Sequence, residues 1–392
     1  MSIQIRDSIH GSIVLSNREL QLIDHPAFQR LRNIKQLGFA DLAFPGATHS
    51  RYSHSLGAME LATRIFDGLF KPGDLDEAFR KRMRQAVRLA MLLHDLGHAP
   101  LSHTMEMRMP AGVTHEDYTY RLITDSSFSR EMTRLFADDG VYPKDITSLE
   151  FKQGGLNYQP ILKQIISSEC DADRMDYLQR DSFYCGVNYG KFDADWLMSC
   201  LTAIEQDGAV YLGIKSKGMF SFEDFLLSRY HMFASVYLHH TPVIFEKMLQ
   251  KYFKESKEAF ELPADLEAYI KLDDIDIQMH LRQSKNSWAQ RIVQRKPYSL
   301  LMDELSQSEH VRLCEQLADQ KISLIESQSN NAISKYFGRS SIPLYVQTKR
   351  GTIVELESYT ELFKRYQRPA QFNRIYVAPE DKERARALSQ TL

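Results

Sequence analysis

The sequence predicts a mainly α fold with short β-hairpins and a smaller α+β C-terminal appendage, and three observations carry that expectation. Apolar residues recur at helical spacing over residues 56–69 and 77–96. Short alternating or hairpin-like runs flank His10-Gly11 and Asp207-Gly208. Past residue 260, strand-like runs return among charged helical segments. The chain has 392 residues, and at about 150 residues per domain that leaves room for two or three domains. The pattern divides it into a mainly helical core, residues 1–260, and an appendage, residues 261–392.

Taken in order, residues 3–15 form the first hairpin, and Leu20, Leu22, Ile23, Phe28 and Leu31 begin the helical pattern. Residues 42–55, with Pro45-Gly46, read as a loop entering a helix. Pro100 and the stretch 110–112 interrupt the core helices, and another helix starts near Thr114 with Tyr118, Tyr120 and Leu122 on its apolar side. Residues 161–178 are helical, and 184–190 are irregular. Ser221-Phe-Glu-Asp224 reads as a variant capping box opening a long helix through Tyr237, which Pro242 kinks or ends. Residues 262–324 are charged and largely helical. Leu344-Tyr-Val346 and Ile353-Val-Glu-Leu356 suggest a further hairpin, Arg374-Ile-Tyr-Val377 a third strand, and Pro379-Glu-Asp-Lys-Glu383 a helix start.

Composition narrows the function classes. Hydrophobic residues at 43% and charged residues at 26% exclude a wholly disordered or fibrous chain. With 49 Lys and Arg against 51 Asp and Glu, the net charge of -2 supplies no global attraction to nucleic acid or an anionic membrane. Arg30, Arg32 and Lys35 read as a solvated basic stripe. The four cysteines, Cys170, Cys185, Cys200 and Cys314, contain no close metal-type pair and fit a reducing cytoplasm. Neither a leader pattern nor an apolar run of the ~20 residues a membrane span needs is present, so the expectation is a cytoplasmic protein that does not span a membrane.

The chemistry concentrates in Leu92-Leu-His-Asp-Leu-Gly-His98. On a continuing helix His94 and His98 share one face and Asp95 stands about 100° away, so an ion beside the helix needs ligands from its neighbours. His54 and Asp173 are the candidates. Two imidazoles and two carboxylates suit a borderline or hard divalent ion. Taken alone, the His-Asp pair fits equally well a core histidine hydrogen-bonded to Asp95.

Four segments in order go beyond that pair: Asp7-Ser-Ile-His-Gly-Ser-Ile-Val-Leu15, Phe28 to Gly38, Phe44 to Gly57, and His94-Asp-Leu-Gly-His-Ala-Pro-Leu-Ser-His103. They resemble the deoxynucleoside triphosphate (dNTP) triphosphohydrolase branch of the HD superfamily, strongly over residues 5–57, 88–118 and 165–240. The resemblance implies an HD-domain helical core that converts a dNTP and water to deoxynucleoside and triphosphate. It implies a divalent ion (Mn, Mg, Fe, Co, Ni or Zn) on His54, His94, Asp95 and Asp173. His115 would protonate the leaving 5′-oxygen with Glu106 behind it, where mammalian members carry Asp, and His98 would lie beside the reacting phosphate. By position alone, His115 also reads as a helix-cap residue and His98 as a structural histidine.

Arg51, His103, Arg174, Tyr177 and Arg229 match phosphate contacts, with Arg174 replacing a lysine of mammalian members. Gln36 and Asp181 match ligands of the sugar 3′-hydroxyl. Leu37 and Tyr237 match the walls beneath the sugar that leave little space for a 2′-hydroxyl. Phe233 stands where mammalian members have histidine. Asp24, Gln29 and Arg32 match a site for an activating nucleotide, although Ile3 replaces a nucleotide-binding lysine there. Members assemble as homo-oligomers (dimer, tetramer or hexamer), and Asn286 to Pro297 resembles an interface element. The rival readings are an HD phosphodiesterase or nucleotidase acting on another phosphoester, and a nucleotide or single-stranded nucleic-acid sensor with a structural metal site.

Overall fold

The computed structural model describes residues 2–110, 112–256, 260–303, 305–329, 342–360 and 372–390. Ala111, within the interruption read at 110–112, lies outside the described residues. The chain opens with the expected hairpin: β1 (Ser2–Asp7) pairs antiparallel with β2 (Gly11–Ser16). Asp7 closes the turn by accepting from the backbone N–H groups of Ile9 and His10. Ser16 ends β2 and also caps α1 (Asn17–Ile23) in a reciprocal box with Glu19. A short α2 (Pro26–Gln29) and a 3₁₀ turn follow.

Two long helices, α3 (Arg51–Leu69) and α4 (Glu77–Leu93), pack side by side at the centre. Beyond them α5 (His115–Asp125), α6 (Ser127–Phe136) and α7 (Pro143–Ser148) cover one flank. The two-residue strands β3 (Lys152–Gln153) and β4 (Leu156–Asn157) lead to α8 (Gln159–Ile166) and α9 (Ala172–Cys185). The predicted helix over 161–178 is therefore two helices. Asp171 breaks it, accepting from the N–H groups of Ser168 and Arg174 and so capping α9. After α10 (Ala194–Ser199), β5 (Leu201–Gln206) and β6 (Ala209–Lys215) form the hairpin at Asp207-Gly208, both of whose residues have positive φ as a type I′ turn requires.

The next segment departs from expectation. α11 (Met219–Met232) starts at Gly218, before the supposed capping box, because the apolar set Met219, Phe222, Phe225 and Leu226 is already buried from the first turn. Its continuation, Phe233–Tyr237, is a π-turn. Pro242 neither kinks nor ends that helix. It sits in the first turn of α12 (His240–Glu255), where a missing N–H costs nothing.

Helices α13 (Leu266–Tyr269), α14 (Asp274–Gln283) and α15 (Ser287–Val293) bury Leu266, Tyr269, Ile277, Leu281 and Ala289 in the same core as α3 and α4. A separate sheet is ordered β7 (Ser299–Met302), β11, β8, with α16 (Gln307–Asp319) ahead of β8 (Leu324–Ser329). The hairpin of β9 (Tyr345–Gln347) and β10 (Ile353–Glu355) joins the other sheet, β9 running parallel to β6, and a short α17 (Leu356–Tyr359) follows it. β11 (Phe372–Val377) lies between β7 and β8, and α18 (Lys382–Ser389) packs on that sheet. Among the described residues no helix is long and apolar enough to cross a membrane.

One buried ion pair ties the first third together. Arg88 donates to Glu19, to the Thr63 hydroxyl and to the Val14 carbonyl, joining α4, α1, α3 and β2. Glu19 and Arg88 are both almost fully buried. Removing the cation leaves a desolvated carboxylate, so Arg88→Met is expected to cost about 3–5 kcal/mol in denaturant unfolding. The double variant with Glu19→Leu should recover much of that loss.

Candidate metal centre

Three helix ends bring the candidate ligands together. His54 lies in the first turn of α3, His94 caps the C-terminus of α4, and Asp173 lies in the first turn of α9. The helix carrying the His-Asp pair ends at Leu93, so His94 and His98 do not share a helical face. The turn over 94–97 instead sends them to different neighbours. Gly97 permits this turn to nest on α5, because a Cβ there would meet the His115 carbonyl at 2.2 Å and the Thr119 nitrogen at 2.3 Å.

The Nε2 atoms of His54 and His94 stand 3.3 Å apart. Asp173 Oδ1 lies 3.0 Å from the first and 3.5 Å from the second. Asp95 approaches them at 3.7 and 3.4 Å. All four predicted ligands therefore converge, and their outward atoms are engaged. His54 Nδ1 is 2.7 Å from Asp176 Oδ2, and His94 Nδ1 is 2.6 Å from the Met91 carbonyl. That arrangement leaves both Nε2 lone pairs for an ion and fits a divalent metal with two nitrogen and two oxygen ligands.

Asp176 belongs to a longer chain of charges. It accepts from His10 and from Arg180, whose other donors go to Asp7 in the β1 turn. Burial by itself would lower the His54 pKa, but hydrogen bonds to Asp173 and Asp176 outweigh it and raise it to about 10. Burial would likewise raise Asp95, and Arg51, with His94 and His98, holds it well below the usual carboxylate range.

Beside the four ligands lies a second imidazole cluster. His98 and His115 stack with ring centroids 3.9 Å apart. Glu106 Oε1 reaches His115 Nδ1 at 2.6 Å and His103 Nδ1 at 2.8 Å, so the longer glutamate still makes the contact. Against the effect of burial, His103 and His115 keep Glu106 ionised far below its ordinary range. Burial and the Arg51 charge hold His98 neutral well below an ordinary imidazole.

The remaining predicted contacts are held by partners of their own. Arg51 donates to Asp95 and to Ser102. Arg174 and Arg229 both meet Glu169 at 3.2 Å. Asp181 is held by His49 and by the Tyr237 hydroxyl, each at 2.7 Å, and Tyr237 packs edge-on against Tyr177 and Phe233. The Gln36 backbone pairs with the His49 carbonyl, while its Oε1 is buried without a partner among the described residues. Leu37 packs on the core. Farther off, Arg32 donates to Gln29 and lies 3.6 Å over the Tyr52 ring, and Asp24 lines a cavity of about 460 Å³.

Several site-shaping residues escaped the sequence reading: His49, Glu169, Asp176 and, most plainly, Arg30. Arg30 does not belong to a solvated stripe. It is buried and donates to the Leu96, His98 and Leu272 carbonyls, while Tyr269 donates to that of Gly97. Asp274 accepts from the N–H groups of Lys35 and Leu101. The spacing Asp173-x-x-Asp176-x-x-x-Arg180 was the available signal for the charge chain; nothing local marked Arg30.

Comparison with known proteins matches residues 51–181 to the HD domain and residues 192–324 to an HD-associated region. An uncharacterized protein of Methanocaldococcus jannaschii is 36% identical over 298 residues, 76% of this chain and 59% of that protein. A deoxynucleoside triphosphate triphosphohydrolase of Homo sapiens is 28% identical over 310 residues, 69% of this chain and 49% of the other. The crystal structure of a phosphohydrolase from Bacteroides thetaiotaomicron, 25% identical, superposes with a TM-score of 0.75 over 96% of this chain and all of that one. The chain spans roughly half to two thirds of the curated relatives it matches.

Two outcomes follow for the centre. Asp176→Asn should weaken divalent metal affinity by about 10–100-fold in a chelator competition, because the His54 ring loses its anionic anchor. In metal-free protein, a His54 pKa raised from 6.5 to about 10 contributes stability that is complete below pH 6.5 and lost as pH rises toward 10. Chelator-treated protein should therefore lose Tm across that window, and His54→Gln should flatten the slope.

Proposed function

Because the chain belongs to the HD-domain phosphohydrolase family, we propose that it hydrolyses deoxynucleoside triphosphates to deoxynucleoside and triphosphate. The observation that carries the reading is the convergence of His54, His94, Asp95 and Asp173 beside a histidine, His115, whose Nδ1 is anchored by an ionised carboxylate. The relative from Homo sapiens named for this reaction supports the substrate class.

His54, His94, Asp95 and Asp173 would hold a divalent ion of the Mn, Mg, Fe, Co, Ni or Zn class, which would supply Lewis acidity toward a phosphoryl oxygen and acidify water at neutral pH. The chain's own groups do the rest. Water attacks the α-phosphorus and releases a proton to solvent, the bond to the 5′-oxygen breaks, and that oxygen takes a proton from His115 Nε2, which solvent then restores. Glu106, accepting at Nδ1, orients the ring so that Nε2 faces the leaving oxygen. His98, neutral and stacked on His115, fixes the ring plane. Arg51, Arg174, Arg229, His103 and Tyr177 line the path for the phosphate chain. Gln36 Oε1, without a partner among the described residues, and the Asp181 carboxylate take the 3′-hydroxyl, while Leu37 and Tyr237 close the space beneath the sugar.

Asp24, Gln29 and Arg32 are the candidate contacts for an activating nucleotide, and the active form is a homo-oligomer. The test is product chromatography of metal-loaded protein with each dNTP and with a mixture. Deoxynucleoside and tripolyphosphate are expected. Asp95→Ala should abolish turnover, and His115→Ala should slow it by about 10²–10⁴-fold. Faster turnover in the mixture, lost in Arg32→Ala, would place an activator at the second site. A monophosphate product would assign the centre to another phosphoester reaction, and tight binding without turnover to a sensor.

A further inference from the structure

The small unit of β7, β8, β11, α16 and α18 carries a polar cluster that the HD centre does not use. Its interior is apolar: Leu313, Leu317, Ile322, Ile375, Val377 and Ala385, with Cys314 and Leu324 at the margin. Into this setting α16 projects His310 and Cys314, four residues apart and so on one helical face. Glu326 comes from β8, an outer strand of the sheet among the described residues. One ligand atom from each of the three lies within 4.8 Å of the others. His310 Nε2 is 2.8 Å from Glu326 Oε2, and the imidazole is only 1% exposed. Its Nδ1 is buried with no partner among the described residues. Glu326, about half exposed, keeps the cluster open to solvent on one side.

We propose that His310, Cys314 and Glu326 form a second metal site, for a divalent ion of borderline softness such as Zn²⁺, that clasps α16 to β8. Nitrogen, sulfur and oxygen are the atoms zinc takes from proteins, and three protein ligands leave a fourth position for water. The thiol proton passes to solvent on coordination, and the ion replaces the direct His310–Glu326 contact. The donor set also separates the two centres, because the one at His54 offers no sulfur and suits a harder ion. A unit with this small an apolar core gains fold stability from such a cross-link.

Cobalt distinguishes the sites. Full-length protein is stripped with a chelator and titrated with Co²⁺. A thiolate ligand produces near-ultraviolet sulfur-to-cobalt charge transfer, which a centre of histidine and aspartate cannot. The band is expected in the wild type and in Asp173→Ala, saturating at about one ion per chain. Cys314→Ser should lose it and keep the visible cobalt absorption of the His54 centre, which also reports that the variant has folded. In wild-type protein, Zn²⁺ should slow alkylation of Cys314 by about tenfold or more. A cobalt-loaded wild type without the band, survival of the band in Cys314→Ser, or alkylation indifferent to Zn²⁺ would each overturn the proposal.

Discussion

The rest of the structure depends on holding ionisable groups in alternating sign where little water reaches. Two carboxylates, Asp95 and Asp173, face two imidazoles across 3.0 to 3.7 Å. Unpaired, any one of them would pay a desolvation cost of several kcal/mol. The fold answers by extending the alternation outward: His54 leans on Asp176, Asp176 on Arg180, Arg180 on Asp7. On the other side Asp95 leans on Arg51. The N-terminal hairpin is therefore the last link of an electrostatic chain that begins at the metal ligands.

A second set of contacts holds the same centre through its backbone groups rather than through ion pairs. The carbonyls of Leu96, Gly97 and His98, in and just after the turn that follows α4, accept from Arg30 and Tyr269. Asp274 at the start of α14 pins the N–H of Leu101, a residue with φ of 53°, and that of Lys35 beside Gln36. From the far sheet, Arg374 donates to the Leu238 carbonyl and Tyr376 to that of His240, bracketing the exit from the π-turn that carries Tyr237. The appended elements are thus the rear supports of the turns on which the candidate substrate contacts sit.

How much of this was legible follows from locality. The central helices and both glycine-turn hairpins were readable because periodicity and turn chemistry act over a few residues. His54, His94, Asp95 and Asp173 were readable because their types and their flanking motifs are distinctive. The end of α4 at Leu93 was not, since apolar spacing continues to Leu96 while the turn is stabilised by Arg30 from elsewhere. Pro242 misled because a proline looks the same whether it ends one helix or opens the next. The parallel pairing of β9 with β6 joins segments far apart in sequence and leaves no local mark. Glu169 carried no signal either, being an ordinary acidic residue until Arg174 and Arg229 close on it.

That last triad bears on how a neutral protein would accept a polyanion. In the structure Arg51 is already paired with Asp95, and Arg174 and Arg229 share Glu169. None of these cations therefore offers the full field of an isolated charge. What they offer is fixed direction: each guanidinium is a rigid planar fork of N–H donors, and the carboxylate behind it locks that plane. An incoming phosphate would then meet groups whose ordering cost was met on folding. The carboxylate behind them lowers the attraction for any anion that does not match their geometry. Selectivity in such a site comes from placement more than from net charge, consistent with a chain whose overall balance is -2.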